Sequence, residues 1–244
     1  MAIIRIGTAG WQLPKSLVAE FPATGTHLQR YSVRFGTVEV NSTFYRLPRP
    51  ATAKRWAASV PPQFRFALKM PKAITHEAKL RHAAKPLSAF LELRNAFGPQ
   101  AGPVLMQLPP KLEFSAAAED FLHQLHEHDQ PHVVVEPRHP SWFTTEVDDL
   151  LRRLGMARVA ADPPRAEADG RPGGSKRMVY FRWHGRPRIY WSSYGTEDLA
   201  VLSAQIKALP SITQEAYVIF DNTAQGFATG NALELMRVLP AMGT

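Results

Sequence analysis

The sequence has no cysteine among its 244 residues. This absence excludes disulfide bonds, thiolate catalysis and any zinc or iron–sulfur site with cysteine ligands. Long apolar runs are also missing: the longest extend over a handful of residues, whereas a membrane-spanning helix needs about 20. Apolar residues follow Met1 almost directly, which leaves no space for the basic and apolar regions of a signal peptide. We therefore expect a cytoplasmic protein that does not cross a membrane.

Positive charge exceeds negative charge in the composition. The formal net charge at pH 7 is +8 and the isoelectric point is about 9.9. A basic surface attracts nucleic acids and phosphorylated molecules, although a balance of this size also occurs in proteins that bind neither. The length and the hydrophobic fraction of 45% fit one large globular domain, which we predict over residues 1–244.

Hydrophobic periodicity predicts eight short β-strands separated by amphipathic helices. The predicted strands are residues 3–7, 37–41, 64–69, 103–108, 132–137, 157–162, 178–184 and 216–221. The predicted helices are residues 26–35, 50–59, 86–97, 115–129, 145–154, 196–209 and 229–239. Alternation of strands and helices indicates parallel strands joined by crossover connections. The expected fold class is therefore α/β, with a single TIM-like (β/α) barrel.

One connection interrupts this alternation. Residues 163–177, between the sixth and seventh strands, are rich in glycine, proline and charged residues and have no apolar stripe. This composition is typical of a loop. We expect an irregular barrel with a loop in place of the helix between these strands.

Polar residues gather at the C-terminal ends of the predicted strands. Because alternate residues face opposite sides of a strand, Arg182 and His184 share one side of the seventh strand, and Phe181 and Trp183 share the other. The other strand ends carry Glu39 and Asn41, Lys69, Gln107, Glu136 and Arg138, Asp162, and Asp221 or Asn222. In TIM barrels the active site is built at this end. We therefore expect a ligand site at this C-terminal mouth.

A closed ion-pair network is the alternative interpretation of the same residues. The four acids are Glu39, Glu136, Asp162 and Asp221, and the three bases are Lys69, Arg138 and Arg182. Acids and bases in nearly equal numbers can neutralise one another and fill the end of the barrel without binding a ligand.

Several motifs occur in one order along nearly the whole chain: Gly7–Trp11, Val38–Tyr45, Lys69 with Thr75 and His76, Gln107–Pro110, Glu136–Trp142, Tyr180–Gly185, and Asn222 with Thr223. Together they resemble the YecE-like family, a domain of unknown function (DUF72). The resemblance implies a TIM-like barrel and supplies no reaction. The sequence departs from the family pattern between Gln12 and Phe21, where aromatic residues are few, and at Asp221, where the family usually has asparagine.

Three kinds of chemistry are open at the mouth. The loops over residues 184–188 and 222–226 contain glycines and arginines suited to a phosphate. Metal binding is a second option, and its donors would be Glu39, His76, Glu136, Asp162 and His184. General acid–base catalysis is the third, with Glu39, Glu136 and His184 as proton carriers and Lys69 and Arg182 as stabilisers of negative charge.

Nucleic-acid binding without catalysis is the alternative function. Residues 165–188 are strongly basic and precede Tyr190, Trp191 and Tyr194, which are candidates for stacking on bases. Aromatic residues at these positions would equally serve to line or cover the mouth.

The sequence thus predicts an enzyme-like barrel that binds a phosphate-bearing or other anionic substrate, with phosphoester hydrolysis as the candidate reaction. The predicted catalytic residues are Glu39, Lys69, Glu136, Arg138, Arg182 and His184. The predicted substrate-binding residues are Trp11, Asn41, Tyr45, His76, Gln107, Asp162, Gly185, Arg186, Tyr194, Asp221 and Asn222. An anionic small molecule or a nucleic-acid end is the expected partner. The pattern identifies no particular metal, cofactor or oligomeric state.

Overall fold

The computed structural model describes residues 2–127, 132–165 and 167–239, and within them the chain forms ten strands. These are β1 (Ile3–Thr8), β2 (Thr37–Val40), β3 (Arg65–Lys69), β4 (Ala101–Gln107), β5 (Val133–Glu136), β6 (Ala157–Arg158), β7 (Ala160–Asp162), β8 (Gly173–Gly174), β9 (Met178–Trp183) and β10 (Glu215–Phe220). Seven of the eight predicted strands are confirmed within two residues at each end. The predicted sixth strand is divided at Val159 into β6 and β7.

All seven predicted helices are present, with their described ends within two residues of the prediction. They are α1 (His27–Arg34), α2 (Pro50–Ala58), α3 (Ala84–Asn95), α4 (Ala116–Glu127), α5 (Thr145–Arg153), α6 (Thr196–Lys207) and α7 (Phe227–Val238). The predicted end of α4 at residues 128–129 lies outside the described residues. Side-chain caps fix two starts, because Thr26 and Thr144 accept hydrogen bonds from backbone amides of α1 and α5. No helix in the described ranges is long and apolar enough to span a bilayer.

The connection predicted as a loop contains no α-helix in its described residues. A single 3₁₀ turn, Glu167–Gly170, is followed by β8, which pairs antiparallel with β6. Gly173 permits this pairing, because a Cβ atom there would lie 2.3 Å from the Arg158 guanidinium.

The strands form two sheets. One has the order β1-β10-β9-β7 and the other the order β2-β3-β4-β5-β6-β8, and every pair except β6–β8 is parallel. The predicted closed sheet is therefore not found among the described strands, and the fold is described as α/β with two parallel sheets. The interruption at Val159 is one reason, because β6 pairs with β5 while β7 pairs with β9.

The two sheets touch at the β1–β2 edge, and the chain passes from one sheet to the other at Val159. Ala9 forms an isolated parallel bridge with Glu39, and the Gly10 amide donates to the Glu39 carbonyl at 2.8 Å. Gly7 allows this approach of β1 to β2, since a Cβ atom would lie 2.1 Å from the Thr37 carbonyl oxygen. The amide of Val159, the residue between β6 and β7, donates to the Val135 carbonyl at 2.9 Å and continues the pairing of β6 with β5.

Strand parity separates the apolar residues into two cores, as the sequence predicts. The larger core combines helix residues with strand residues such as Val38, Val40, Phe181 and Trp183. The smaller core contains residues from both sheets and therefore lies between them: Ala67, Leu105, Val134, Ala157, Val159, Ala161, Met178, Tyr180, Tyr217 and Ile219. Glu39, Glu136 and Arg182 have the parity of this smaller core, so their side chains also lie between the sheets.

Candidate ligand site at the carboxyl ends of the strands

Arg182 is the centre of a buried ion-pair network at the carboxyl ends of the strands. Its Nη2 lies 2.8 Å from Glu39 Oε1 and 2.8 Å from Asp221 Oδ2, and its Nη1 donates to Glu136 Oε2 at 3.0 Å. Tyr180 donates its hydroxyl proton to Glu39 Oε2 at 2.8 Å. The Arg182 side chain is 1% exposed and those of Glu39 and Glu136 are 0% exposed, so water does not weaken these pairs.

His184 joins two of the same carboxylates. Its Nε2 lies 2.9 Å from Glu136 Oε1 and its Nδ1 lies 3.0 Å from Asp221 Oδ2. Burial alone would lower the pKa of His184, but the charge of Glu136 and the two hydrogen bonds hold it above its ordinary value. Because both ring nitrogens face carboxylate oxygens, we infer that both donate and that His184 carries the imidazolium charge.

Glu136 is held as an anion by three cations. Burial would raise its pKa, but Arg182, His184 and Arg138 hold the pKa well below the ordinary value. The contact with Arg138 is short, with Nη2 2.7 Å from Oε1. Arg138 is thus the outer member of the network, because its side chain remains 9% exposed.

These residues form a self-neutralised layer, which we call the lower layer: Glu39, Glu136, Arg138, Arg182, His184 and Asp221. Its three carboxylates match two guanidinium groups and one imidazolium. The closed-network interpretation therefore describes this layer, in which Glu39 and Glu136 already have cationic partners.

Lys69 and His76 form a second, more exposed set, which we call the upper layer. The Lys69 amine lies 4.5 Å from the centre of the Phe44 ring and, within the described ranges, makes no hydrogen bond or ion pair. Burial lowers the pKa of Lys69, and the charge of Arg182 lowers it further. Its remaining charge is not matched by the lower layer, which is already neutral.

The His76 ring packs edge-on against the Phe44 ring, and the two ring centres are 5.0 Å apart. Thr75 Oγ1 donates to the Pro71 carbonyl at 3.3 Å, so it accepts from His76 Nδ1 at 2.8 Å. This assigns the proton to Nδ1 and leaves a lone pair on Nε2. Burial, followed by the charges of Lys69 and Arg138, lowers the pKa of His76 and keeps the ring neutral at pH 7.

Four predicted substrate-binding residues are bonded to one another at the rim. The Tyr194 hydroxyl donates to Asp162 Oδ1 at 2.8 Å and accepts from the Gly185 amide at 2.8 Å. Arg186 pairs with Asp162 at 3.5 Å and also with Asp198. Tyr194 is 4% exposed, so of its two candidate roles it does not have the surface to stack on a nucleic-acid base, and it packs at the mouth instead. This group holds the loop after β9 in place.

The predicted phosphate loops use several of their backbone amides internally. The Gly185 amide donates to Tyr194, Ala224 donates to the Tyr190 carbonyl at 3.1 Å, and Gly226 donates to the Thr223 carbonyl at 3.0 Å. Asn222 is fully buried, and its Nδ2 donates to the Ser192 carbonyl at 2.9 Å. The geometry therefore favours the upper layer over these amides as the place for an anion.

The remaining predicted residues lie at different depths around the mouth. Asn41 follows β2 directly, and its buried Oδ1 has no hydrogen-bond partner in the part of the chain that the structure describes. Gln107 ends β4 opposite Glu136 and is half-buried. Trp11 packs edge-on against Trp56 at 5.0 Å, and Tyr45 is 75% exposed beside Phe44. Trp11 and Tyr45 are therefore not part of the lower layer.

The predicted catalytic and substrate-binding residues do not include four residues near the mouth, of which Tyr190 is predicted from the sequence only as an aromatic that stacks on bases or covers the mouth. Tyr180 has the parity of Arg182, which is a usable sequence signal, and Phe44 lies in the turn after β2. Tyr190 has φ +70° and meets the His184 ring edge-on at 5.8 Å. Asp169 is buried, and burial raises its pKa to about 6. Nothing in the Gly- and Pro-rich interval around Asp169 distinguishes it beforehand.

The metal hypothesis has no matching donor arrangement in the described chain. No three histidine or carboxylate side chains in residues 2–127, 132–165 and 167–239 are grouped in a way that could hold a metal ion. Glu39, Glu136 and His184 instead have one another and the arginines as neighbours.

The fold and the site define an α/β protein with parallel sheets and a buried ion-pair network at the carboxyl ends of the strands. The chain belongs to the family described as "Protein of unknown function DUF72", whose model matches residues 5–243. This confirms the family resemblance seen in the sequence.

Relatives and solved structures agree with this assignment. The UPF0759 protein YecE of Escherichia coli K12 is 32% identical over 66% of this chain. The chain spans 59% of the length of this relative. The UPF0759 protein YunF of Bacillus subtilis is 22% identical over 97% of this chain and 95% of its own length. A DUF72 family structure from Thermotoga maritima has a TM-score of 0.80 at 26% identity, covering 97% of this chain and 99% of its own. One from Enterococcus faecalis has a TM-score of 0.82 at 23% identity, covering 97% and 95%.

Proposed function

We propose that the two sheets act together as one TIM-like barrel in a single domain, whose carboxyl end binds a small phosphate-bearing anion. Two observations support the barrel: the Ala9–Glu39 bridge joins the sheets at the β1–β2 edge, and the predicted sixth strand passes from one sheet to the other, with β6 paired to β5 and β7 paired to β9. The proposal includes the cytoplasmic location that the sequence predicts.

The charge of Lys69 is the observation that carries the proposal. The lower layer neutralises itself, whereas Lys69 is largely buried and forms no ion pair or hydrogen bond in the described residues. The charges of Glu39, Asp221 and Glu136 raise the pKa of Lys69, but burial and the charge of Arg182 keep it below the ordinary value. A cation in this position is unfavourable unless an anion completes it. The charges of Lys69 and Arg138 both lower the pKa of His76, so the three groups lie near one another. A phosphate is the anion that suits an amine, a guanidinium and an imidazole together.

Phosphoester hydrolysis is the reaction that this arrangement supports best. In the proposed step, the oxygen of a water molecule bonds to phosphorus while the bond to the leaving oxygen breaks. Neutral His76 takes a proton from the water at Nε2, and the Lys69 ammonium supplies a proton to the leaving oxygen. Arg138 stabilises the negative charge on the phosphoryl oxygens. Glu136 and Asp221 act as positioning residues, since they hold Arg138, Arg182 and His184.

The test measures binding of inorganic phosphate by isothermal titration calorimetry. We expect Lys69→Met to weaken binding by about tenfold or more, because a hydrogen bond to a charged group is lost. Lys207→Met, an exposed lysine on α6, is the matched control and should leave the affinity unchanged. Equal affinities for the Lys69→Met variant and the unaltered protein would refute the anion site.

The hydrolysis step has its own measurement. Turnover of p-nitrophenyl phosphate should fall by about a hundredfold in His76→Gln, since general-base catalysis contributes about 10²–10⁴-fold. Phosphate affinity should change much less in the same variant. Binding without any turnover in the unaltered protein would leave an anion-binding protein and exclude this hydrolysis.

A nucleic-acid-binding surface is the second candidate, and one contact favours it. The Arg188 guanidinium lies 4.3 Å from the centre of the Trp191 ring, and Trp191 is 40% exposed. An exposed cation over an aromatic ring suits a phosphate next to a base. This surface predicts single-stranded DNA binding that weakens steeply with salt and falls in Arg188→Gln, with Glu197→Gln as a surface control.

A further inference from the structure

A large cavity lies at the opposite end of the strands from the candidate ligand site. Its volume is about 980 Å³, and it is bordered by the first residues of several strands, including Arg65, Met178 and Glu215. A strand of six residues is about 20 Å long, so this cavity and the Lys69 region are separate places. We call it the amino-end cavity.

Small residues and short side chains explain why the space exists. β4 begins with Ala101, Gly102 and Pro103, all of which line the cavity. Gly102 cannot be replaced by a larger residue without displacing β3, because a Cβ atom would lie 2.9 Å from the Phe66 carbonyl oxygen. Gly155 follows α5 with φ +71° and has no atom within 4 Å of its Cβ position, so it leaves further space.

Two arginines that form no ion pair in the described residues, Arg65 and Arg177, line the amino-end cavity. Arg65 Nη1 donates to the carbonyls of Pro62 and Phe64 at 2.9 and 3.1 Å, and Arg177 is exposed. Glu215 is the acidic residue among the lining side chains that the structure describes, and it already accepts from Arg5 at 3.1 Å and from the Tyr217 hydroxyl at 3.1 Å. The charge of Glu215 is therefore engaged, and the positive charges of Arg65 and Arg177 are not paired with a carboxylate in the described residues.

Apolar residues also line the amino-end cavity and indicate that its ligand has an apolar part. Pro103, Leu154, Met156 and Met178 form apolar parts of the wall, beside the arginines. Small-molecule sites have volumes of about 300–1,000 Å³ and combine apolar walls with a few polar groups. A guanidinium binds phosphate oxygens with two parallel hydrogen bonds.

We propose that the amino-end cavity is a second binding site, which takes a small molecule with a phosphate group and an apolar ring, of nucleotide size. This site uses different residues from the proposed phosphate site at Lys69. A ligand there can occupy the protein independently of the carboxyl-end mouth.

The test uses adenosine triphosphate as the probe and isothermal titration calorimetry on the full chain. Arg177 is exposed, so Arg177→Glu should fold normally. We expect this charge reversal to weaken binding by about tenfold or more. Lys176→Glu is the matched control, because it makes the same charge change at the neighbouring exposed residue, which does not line the cavity. It should leave the affinity within about twofold.

A variant at the other end distinguishes this site from the mouth. Lys69→Met should leave the affinity for adenosine triphosphate within about twofold. Hydrogen exchange should show protection of residues 154–156 and 175–178 when the probe is bound. Loss of binding in Lys69→Met but not in Arg177→Glu, protection confined to residues 69–77, or no binding at all would each overturn the proposal.

Discussion

The two ends of the sheets use arginine in opposite ways. At the carboxyl end, Arg182 is 1% exposed and is surrounded by three carboxylates. At the amino end, Arg65 and Arg177 border a cavity of about 980 Å³. An arginine enclosed by acids holds strands together, whereas an arginine beside open space is available to a ligand. The number of charges in the sequence does not distinguish these two situations, but the arrangement of their partners does.

The same distinction separates two layers within the mouth. In the lower layer each carboxylate has cationic partners within about hydrogen-bonding distance, and the set is fully buried or nearly so. In the upper layer Lys69 has an aromatic ring beside it and forms no ion pair in the described chain, and its pKa is lowered in spite of the charges of Glu39, Asp221 and Glu136. We propose that the lower layer serves mainly stability and the upper layer mainly binding, and the predictions below test this division.

The largest expected effect is the removal of the central arginine. Arg182→Met leaves Glu39, Glu136 and Asp221 buried with fewer cations, and breaking a buried pair in this way costs about 3–5 kcal/mol. The free energy of unfolding, measured in urea by circular dichroism, should fall by that amount. Arg152→Met removes an exposed pair with Asp149 and should cost at most about 0.5 kcal/mol. Similar losses in the two variants would contradict the assignment of Arg182 to the lower layer.

The next largest expected effect is the change in the free energy of unfolding when a glycine at each end of the sheets is replaced by alanine. Gly185 at the mouth has φ +93°, and a Cβ atom there would lie 2.7 Å from the Ser192 carbonyl oxygen. Gly155 at the amino-end cavity has φ +71° and open space at its Cβ position. A left-handed backbone costs alanine about 1–2 kcal/mol.

Gly155→Ala should therefore lower the free energy of unfolding by about 1 kcal/mol. Gly185→Ala should cost more, about 2–4 kcal/mol, because the backbone of residue 192 must also move. Thermal and urea unfolding would measure both variants. Equal costs would show that the loop after β9 adjusts freely, which the packing at the mouth does not lead us to expect.

Acidic and alkaline pH should each lower the free energy of unfolding through the lower layer, and by less than Arg182→Met does. His184 has a raised pKa in the folded state, so its contribution is complete below about pH 6.5 and is lost as pH rises through that raised value. Glu136 has a lowered pKa, so its contribution is present above its ordinary value and is lost as pH falls. The free energy of unfolding should therefore pass through a maximum between the two. In His184→Gln the decrease on the alkaline side should disappear, and its persistence would assign that decrease to another group.

Much of the fold could be predicted from the sequence because the apolar pattern is regular. The spacing of apolar residues follows the buried side of each strand or helix. Val38 and Val40, which share one side of β2, show this directly. The division of the sixth strand at Val159 could not be predicted, since residues 157–162 form one continuous pattern. The break depends on pairing with β5 on one side and β9 on the other, which is long-range information.

The candidate site could be predicted only in part, for a similar reason. The positions at the strand ends and the shared parity predicted that five residues lie at one end of the sheets: Glu39, Glu136, Arg138, Arg182 and His184. Parity does not reveal which charges pair, so it could not separate the neutral lower layer from Lys69. The contacts of Asp162 with Tyr194 and Arg186 depend on the path of the loop after β9, and Asp169 lies in an interval without periodicity.

The smallest expected effect on stability is also the most informative about this division. Lys69→Met removes a partly buried charge for which the costs of burial and of repulsion by Arg182 outweigh the attraction of Glu39, Asp221 and Glu136. The free energy of unfolding should rise or remain within about 1 kcal/mol of the unaltered protein, with Lys207→Met as the surface control. A loss above about 2 kcal/mol would mean that Lys69 neutralises Glu39, Glu136 or Asp221 and belongs to the lower layer. Together with the phosphate titration, this measurement separates a residue retained for binding from one retained for folding.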